Sequence, residues 1–188
     1  MKKVLLGLCV SGMLALAPAA WAQSGAPAPV EYTERVPTEG AGRTALYNRA
    51  LDWAQNKFAY KPTSSLKATE AAGTLRITGT GTLKQVDGKG KDQPVTVLFD
   101  FTFQATDNGY TYTVGTFRAI PDAKQPSQIV GFDEYRTELQ ADRNNEKTHN
   151  DRRLTAQANS MASEAAMSFR SYMNSQPAEG HVGLAGEN

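Results

Sequence analysis

Nothing in the 188-residue chain restricts its fold as much as Val95, Val97, Phe99, Phe101 and Phe103, apolar at every second position. Successive side chains of a strand point to opposite faces, so this run is a strand with one wholly apolar face. Asn108-Gly109 follows it, the dipeptide best suited to the positive φ angles of a type I′ hairpin turn. Beyond the turn, Tyr110, Tyr112 and Val114 keep the alternation. Phe117 and Ala119 fall on the opposite phase, which predicts a bulge near Gly115-Thr116. Upstream, Thr74 to Leu83 alternates as well. Leu75, Ile77 and Leu83 share one side; Arg76, Thr78, Thr80 and Thr82 share the other. Gly79 and Gly81 fall on the apolar side, where glycine marks a bulge or the close approach of a packed element. Aromatic rings of a covering helix would fill that space.

An apolar sheet face needs such a cover, and Gly42 to Phe58 supplies it. Leu46, Ala50, Trp53, Ala54 and Phe58 recur at the three- and four-residue spacings of one helical face, widened by Tyr47 and Leu51. Thr38 or Thr44 is the candidate cap, and Pro62 closes the segment. Trp53, at the centre of the stripe, is expected to pack on the Phe99-Phe101-Phe103 strand. A second, longer helix presents Leu154, Ala158, Met161, Ala162, Ala165, Phe169, Tyr172 and Met173. Val30 to Val36 is the predicted first strand, and Ser65 to Glu70 a weaker one that turns at Ala71-Ala72-Gly73. Asp87-Gly88-Lys89-Gly90 is a loop. Pro121 to Asp151 is polar and is expected to be irregular, apart from a patch at Ile129, Val130, Phe132 and Tyr135.

The resulting order is β-α-β-β-β-β-α. With Leu46-Tyr47-Asn48-Arg49-Ala50-Leu51-Asp52-Trp53, then Phe58, then Leu75-Arg76-Ile77-Thr78-Gly79-Thr80-Gly81 after Gly73, the chain from Tyr32 to about Ile120 resembles a bacterial secreted family. That family is described as a domain of unknown function with TBP-like fold. The helix ending near Tyr172-Met173 is similar too, whereas 121–151 is long for the family. The resemblance implies an α+β domain with helices packed on one face of a curved antiparallel sheet, exported from the cytoplasm. It implies no activity.

The N-terminus points to export independently. Lys2 and Lys3 precede an apolar run from Val4 to Leu16, and Ala20-Trp21-Ala22 fits a small-x-small cleavage site. Cleavage is expected after Ala22, leaving a periplasmic or secreted chain with no membrane span. Residues 1–22 are thus a signal peptide, 23–29 a flexible lead-in, 30–175 one domain and 176–188 a disordered tail. Cys9, the single cysteine, leaves with the signal, so the mature chain has no thiol chemistry. Loss of Lys2 and Lys3 takes the basic count from 20 to 18 against 19 acidic residues, a formal charge of −1. Such a balance, without a basic run, offers no footprint for nucleic acid.

No chemical motif survives inspection. His149 and His181 lie in polar segments, and Glu146 beside His149 is not a metal site. Ser64-Ser65-Leu66-Lys67 matches S-x-x-K without the partner motifs of that chemistry. Gly79-Thr80-Gly81-Thr82 lies inside a strand and is no phosphate loop. Asp87 to Asp92 lacks the ligand spacing of a calcium loop. Glu31 and Asp100 are read as outward and solvated, and Asp133-Glu134 as an acidic pair in irregular chain. No catalytic, cofactor or metal residue is therefore assigned, and no cofactor is expected. The expectation is a non-catalytic envelope protein that binds a partner protein or a small apolar ligand, on a concave face of the sheet or in a gap beneath the first helix. The rivals are a carboxylate-dependent hydrolase and a module that adds strands edge to edge. A drug-sized cavity under that helix favours ligand binding; a filled core with an exposed edge strand favours assembly.

Overall fold

A computed structural model of the chain describes residues 28–38, 40–62 and 66–175. The predicted signal peptide, most of the lead-in, Ser64, Ser65, His181 and the tail lie outside the described residues. β1 (Tyr32–Pro37) leads into α1 (Arg43–Asn56). Two short strands follow, β2 (Lys61–Pro62) and β3 (Lys67–Thr69), then a single 3-10 turn at Glu70–Ala72. The long meander is β4 (Thr74–Val86), β5 (Asp92–Thr106) and β6 (Gly109–Ile120). β7 (Val130–Gly131), α2 (Phe132–Ala141), α3 (Asn145–Thr148) and α4 (Asn150–Ser175) complete it. All strands join one antiparallel sheet in the order β1-β6-β5-β4-β2, with β3 also on β4 and β7 also on β6. The fold is α+β, with α1 and α4 on one face of the sheet.

The alternating run supplies the centre. Val95, Val97, Phe99 and Phe101 have no measurable exposure. Trp53, 1% exposed, lies with its ring centroid 4.7 Å from that of Phe101 and 5.0 Å from that of Phe169 in α4. Phe58 meets Trp53 edge-on at 5.4 Å. The space under the first helix is therefore filled by rings, and the apolar ligand pocket expected there is replaced by packing. The close approach predicted at the two strand glycines is divided between elements. A Cβ on Gly79 would lie 2.8 Å from Phe58 Cζ and 3.0 Å from Phe99 Cζ, so aromatics do fill that site. At Gly81 the occupant is Met161 of α4, not a helix aromatic.

The β5–β6 hairpin closes with Asp107 and Asn108 as its two-residue loop. The positive φ falls on Gly109 alone, at 140°, so the type I′ geometry does not form. A Cβ there would collide with the Val36 carbonyl oxygen, which makes glycine obligatory where β1 docks. The bulge occurs where the phase change predicts it. Leu98 pairs with Arg118 and Asp100 with Gly115, two steps on β5 against three on β6, with Thr116 at φ 52°. Gly42 occupies the capping position before α1, with no side-chain cap from Thr38 or Thr44.

The segment 121–151 departs from the irregular reading. It contains α2, whose buried face is Phe132, Tyr135 and Arg136, with Leu139 partly buried. That is helical spacing with an arginine in an apolar position, and the charge hides the period. Arg136 is 1% exposed because Nη1 donates to the Ala28 carbonyl at 3.2 Å and pairs with Asp133 Oδ1 at 3.3 Å. Asp133 and Glu134 occupy the first turn of α2, where their charge complements the helix dipole. The helix start is also earlier than the sequence implies: α4 begins at Asn150.

Candidate functional site

The face of the sheet turned away from α1 and α4 follows from the strand register. One row runs Lys67, Arg76, Thr102, Thr113, Thr33; the next runs Thr69, Thr74, Gln104, Thr111, Arg35. Partners directly opposite across an antiparallel pair share a face. The threonines that alternate against the apolar positions thus gather into one hydroxyl-lined surface. Thr33 Oγ1 and Thr113 Oγ1 are 2.9 Å apart within it. The members of these rows on β3, β4, β5 and β6 line an open trough of about 710 Å³, with Thr33 and Arg35 of β1 just beyond its edge. Phe103 and Tyr112 contribute to its floor, while their side chains are buried among the rings of the helix side.

At the end of the trough lies Asp100, which the sequence placed on a solvated face. It is 2% exposed. Arg76 Nη2 approaches its Oδ2 at 2.5 Å, Arg118 Nη2 its Oδ1 at 3.0 Å, and Thr78 Oγ1 donates to Oδ1 at 2.6 Å. Arg76 is half exposed and Arg118 about one-third exposed. The two guanidinium groups roof the carboxylate, which explains its burial: a charge leaves water only when paired and hydrogen-bonded. Arg76 and Arg118 therefore belong to the candidate site that sequence reasoning missed. The signal was present in the outward phase, since Arg76 alternates with Thr78 and Thr80 on β4 and Arg118 lies between the buried Phe117 and Ala119 on β6, but their meeting on Asp100 depends on register.

The other carboxylates are spoken for or scattered. Glu34 joins β1 to α4: it accepts from Tyr112 Oη at 2.6 Å and Tyr32 Oη at 3.3 Å, and pairs with Arg170. It lies beside a recess of about 290 Å³ with exposed Met167 at the rim. Glu31, exposed, and Asp133 line one recess of about 190 Å³ together with Thr116 and Phe132. Asp133 is tied there to Arg136. Asp87 closes its own loop, accepting from the backbone N–H of Lys89 and Lys91 at 2.9 Å each, and those bonds hold its carboxyl below the usual range. Asp151 is desolvated, which raises its pKa, but donors from Asn145, the Arg152 backbone and Gln140 outweigh this and leave it low. His149 is exposed at the left-handed residue between α3 and α4. Among the described residues, no three acidic, histidine or cysteine side chains form a metal cluster, and no helix is long and apolar enough to cross a membrane.

Residues 32–119 match a family described as "Domain of unknown function (DUF4468) with TBP-like fold". Two solved structures are similar. One is a TBP-like protein from Parabacteroides distasonis ATCC 8503, 12% identical, covering 77% of this chain and 97% of that one, with a TM-score of 0.49. The other is a DUF4468 family protein from Bacteroides ovatus ATCC 8483, 14% identical, covering 80% and 89%, with a TM-score of 0.47. No curated protein matches the chain. The matched segment, just under half of the chain, holds β1, α1 and the long strands β4 to β6, and over that segment the chain is similar to the family of domains of unknown function with TBP-like fold.

Proposed function

We propose that this chain is an exported, non-catalytic binding module whose ligand occupies the open face of the sheet. The observation that carries the reading is the trough of about 710 Å³ on the helix-free face, lined by hydroxyls and cations, while the space beneath α1 is packed with rings. Concave sites with a few convergent polar groups are the usual place for a ligand. The non-catalytic part rests on Asp100. A general base must reach the proton it takes, and Asp100 is 2% exposed beneath Arg76 and Arg118, with Thr78 donating to the same oxygen as Arg118. The apolar character expected of the ligand gives way to a polar one, because the trough walls are threonine, glutamine, lysine and arginine.

Native mass spectrometry of the protein purified from its own compartment tests the reading, with Thr102→Trp as the trough-filling variant. The expected spectrum starts from a chain beginning at Gln23 and carries an added mass that the variant loses. An unmodified wild-type mass, or an added mass that persists in Thr102→Trp, overturns it.

A further inference from the structure

We infer that the trough takes an extended acidic peptide segment of a partner protein, with carboxylates four residues apart; this rests on the open-face reading above. The charges argue it first. Lys67 stands directly opposite Arg76 across β3–β4, a like-charge pair of the kind that destabilises a sheet. On the far side, one strand beyond the trough wall, Arg35 of β1 stands opposite the lining residue Thr111. Among the described residues, neither Lys67 nor Arg35 has an ion-pair partner. No carboxylate lines the trough. Asp100 is neutralised from two sides, and Glu31, over Gly115, accepts from the Thr33 hydroxyl at 3.1 Å. An anion placed between Lys67 and Arg76 would convert their repulsion into two attractions.

The geometry selects the class of anion. Arg76 uses one guanidinium nitrogen on Asp100, which fixes the group and leaves its other donors for a planar carboxylate. Three strand gaps and one row separate Arg76 on β4 from Arg35 on β1, about 16 Å at the usual spacings, a distance that the long side chains of the two arginines shorten. An extended chain advances about 3.3–3.6 Å per residue, so side chains four residues apart span that width and point the same way. The hydroxyls and Gln104 between the rims suit peptide amides, being both donors and acceptors. The trough has no outward aromatic ring to stack a sugar, which disfavours an acidic polysaccharide.

Isothermal titration of the whole mature chain with an end-capped heptapeptide carrying Glu at positions one and five tests the inference. Parallel titrations use Gln at both positions, Glu at positions one and four, and polygalacturonate. Binding of the one–five peptide that weakens with salt, and that falls about tenfold in Arg35→Gln and in Lys67→Gln, is the expected result, since each substitution removes one charge-assisted contact. Both residues are exposed, and circular dichroism checks that the variants fold. Equal binding of the Gln peptide, no binding of the one–five peptide, or preference for polygalacturonate overturns it. If the peptides fail while the native mass spectrum still shows a ligand lost in Thr102→Trp, the acidic-peptide assignment fails and the open-face reading stands.

Discussion

At the scale of single residues, Trp53 and Asp100 show opposite ways of being buried. Trp53 brings only apolar area and an indole N–H, which donates to Ser168 Oγ at 3.4 Å. Its ring touches Phe58, Phe101 and Phe169, contributed by the chain after α1, by β5 and by α4. Truncation to alanine leaves a void bounded by three elements that cannot collapse together. We expect Trp53→Ala to cost about 3–5 kcal/mol, the range for a large buried aromatic. Denaturant unfolding measures it, and a loss below about 1 kcal/mol would show that the ring contributes little to the core. Asp100 is buried by contrast because two arginines and a threonine replace its water, and those arginines keep part of their surface outside. The core residue serves packing alone; the carboxylate positions cations on the surface where a ligand would arrive.

At the scale of elements, α4 does more than cover the sheet. Its Asn150 side chain accepts from Val86 N–H at 2.9 Å and donates to Val86 C=O at 2.8 Å. Two turns later, Gln157 does the same with Lys84, at 2.9 and 2.8 Å. Each amide imitates a neighbouring strand, so the end of β4 left bare by β2 and β3 is paired rather than open to edge association. Asn150→Ala leaves two backbone groups of a buried junction without partners and is expected to cost about 1–3 kcal/mol. Amide exchange at Val86 should rise more than at the β5–β6 hairpin; an unchanged Val86 would mean that water replaces the amide at no cost. These brackets could not be read from the sequence, because Asn150 and Gln157 look like ordinary polar residues of a helix. The long strands, both main helices and the bulge were legible, since each is written in a period of two or of 3.6. α2 was not, because Arg136 occupies an inward position in its stripe. β2 and β7 were not, since two residues carry no period. The trough was half legible: the outward phase of the threonines was plain, but the row that joins Lys67, Arg76 and Thr102 exists only once register is set.

At the scale of the whole molecule, the sheet and its helical cover meet through buried tyrosines, and this makes alkaline pH the condition that separates them. Burial, with Glu164 nearby, pushes Tyr60 up to about 12. Its hydroxyl faces Met161 C=O at 3.3 Å and Glu164 Oε2 at 3.4 Å in α4. Burial also raises Tyr110 and, with its neighbour Tyr32, Tyr112; both lie under Phe169 of α4. Tyr135 of α2 is raised by burial as well, although its bond to Gln85 opposes this. In each case the folded value exceeds the unfolded value near 10, so the fold prefers the neutral phenol. By linkage, the stability these groups provide is fully present below pH 10 and is lost as pH rises through the folded values, about 12 for Tyr60. The expected record is a native tyrosinate absorbance that lags the unfolded chain above pH 10. It then rises together with loss of the helical circular dichroism, as α4 and α2 leave the sheet. Tyr60→Phe should move that transition to higher pH by removing one of the coupled ionisations. Full ionisation near pH 10 with the helical signal intact would show that the phenols are already open to water, and that the helical layer is not held by them.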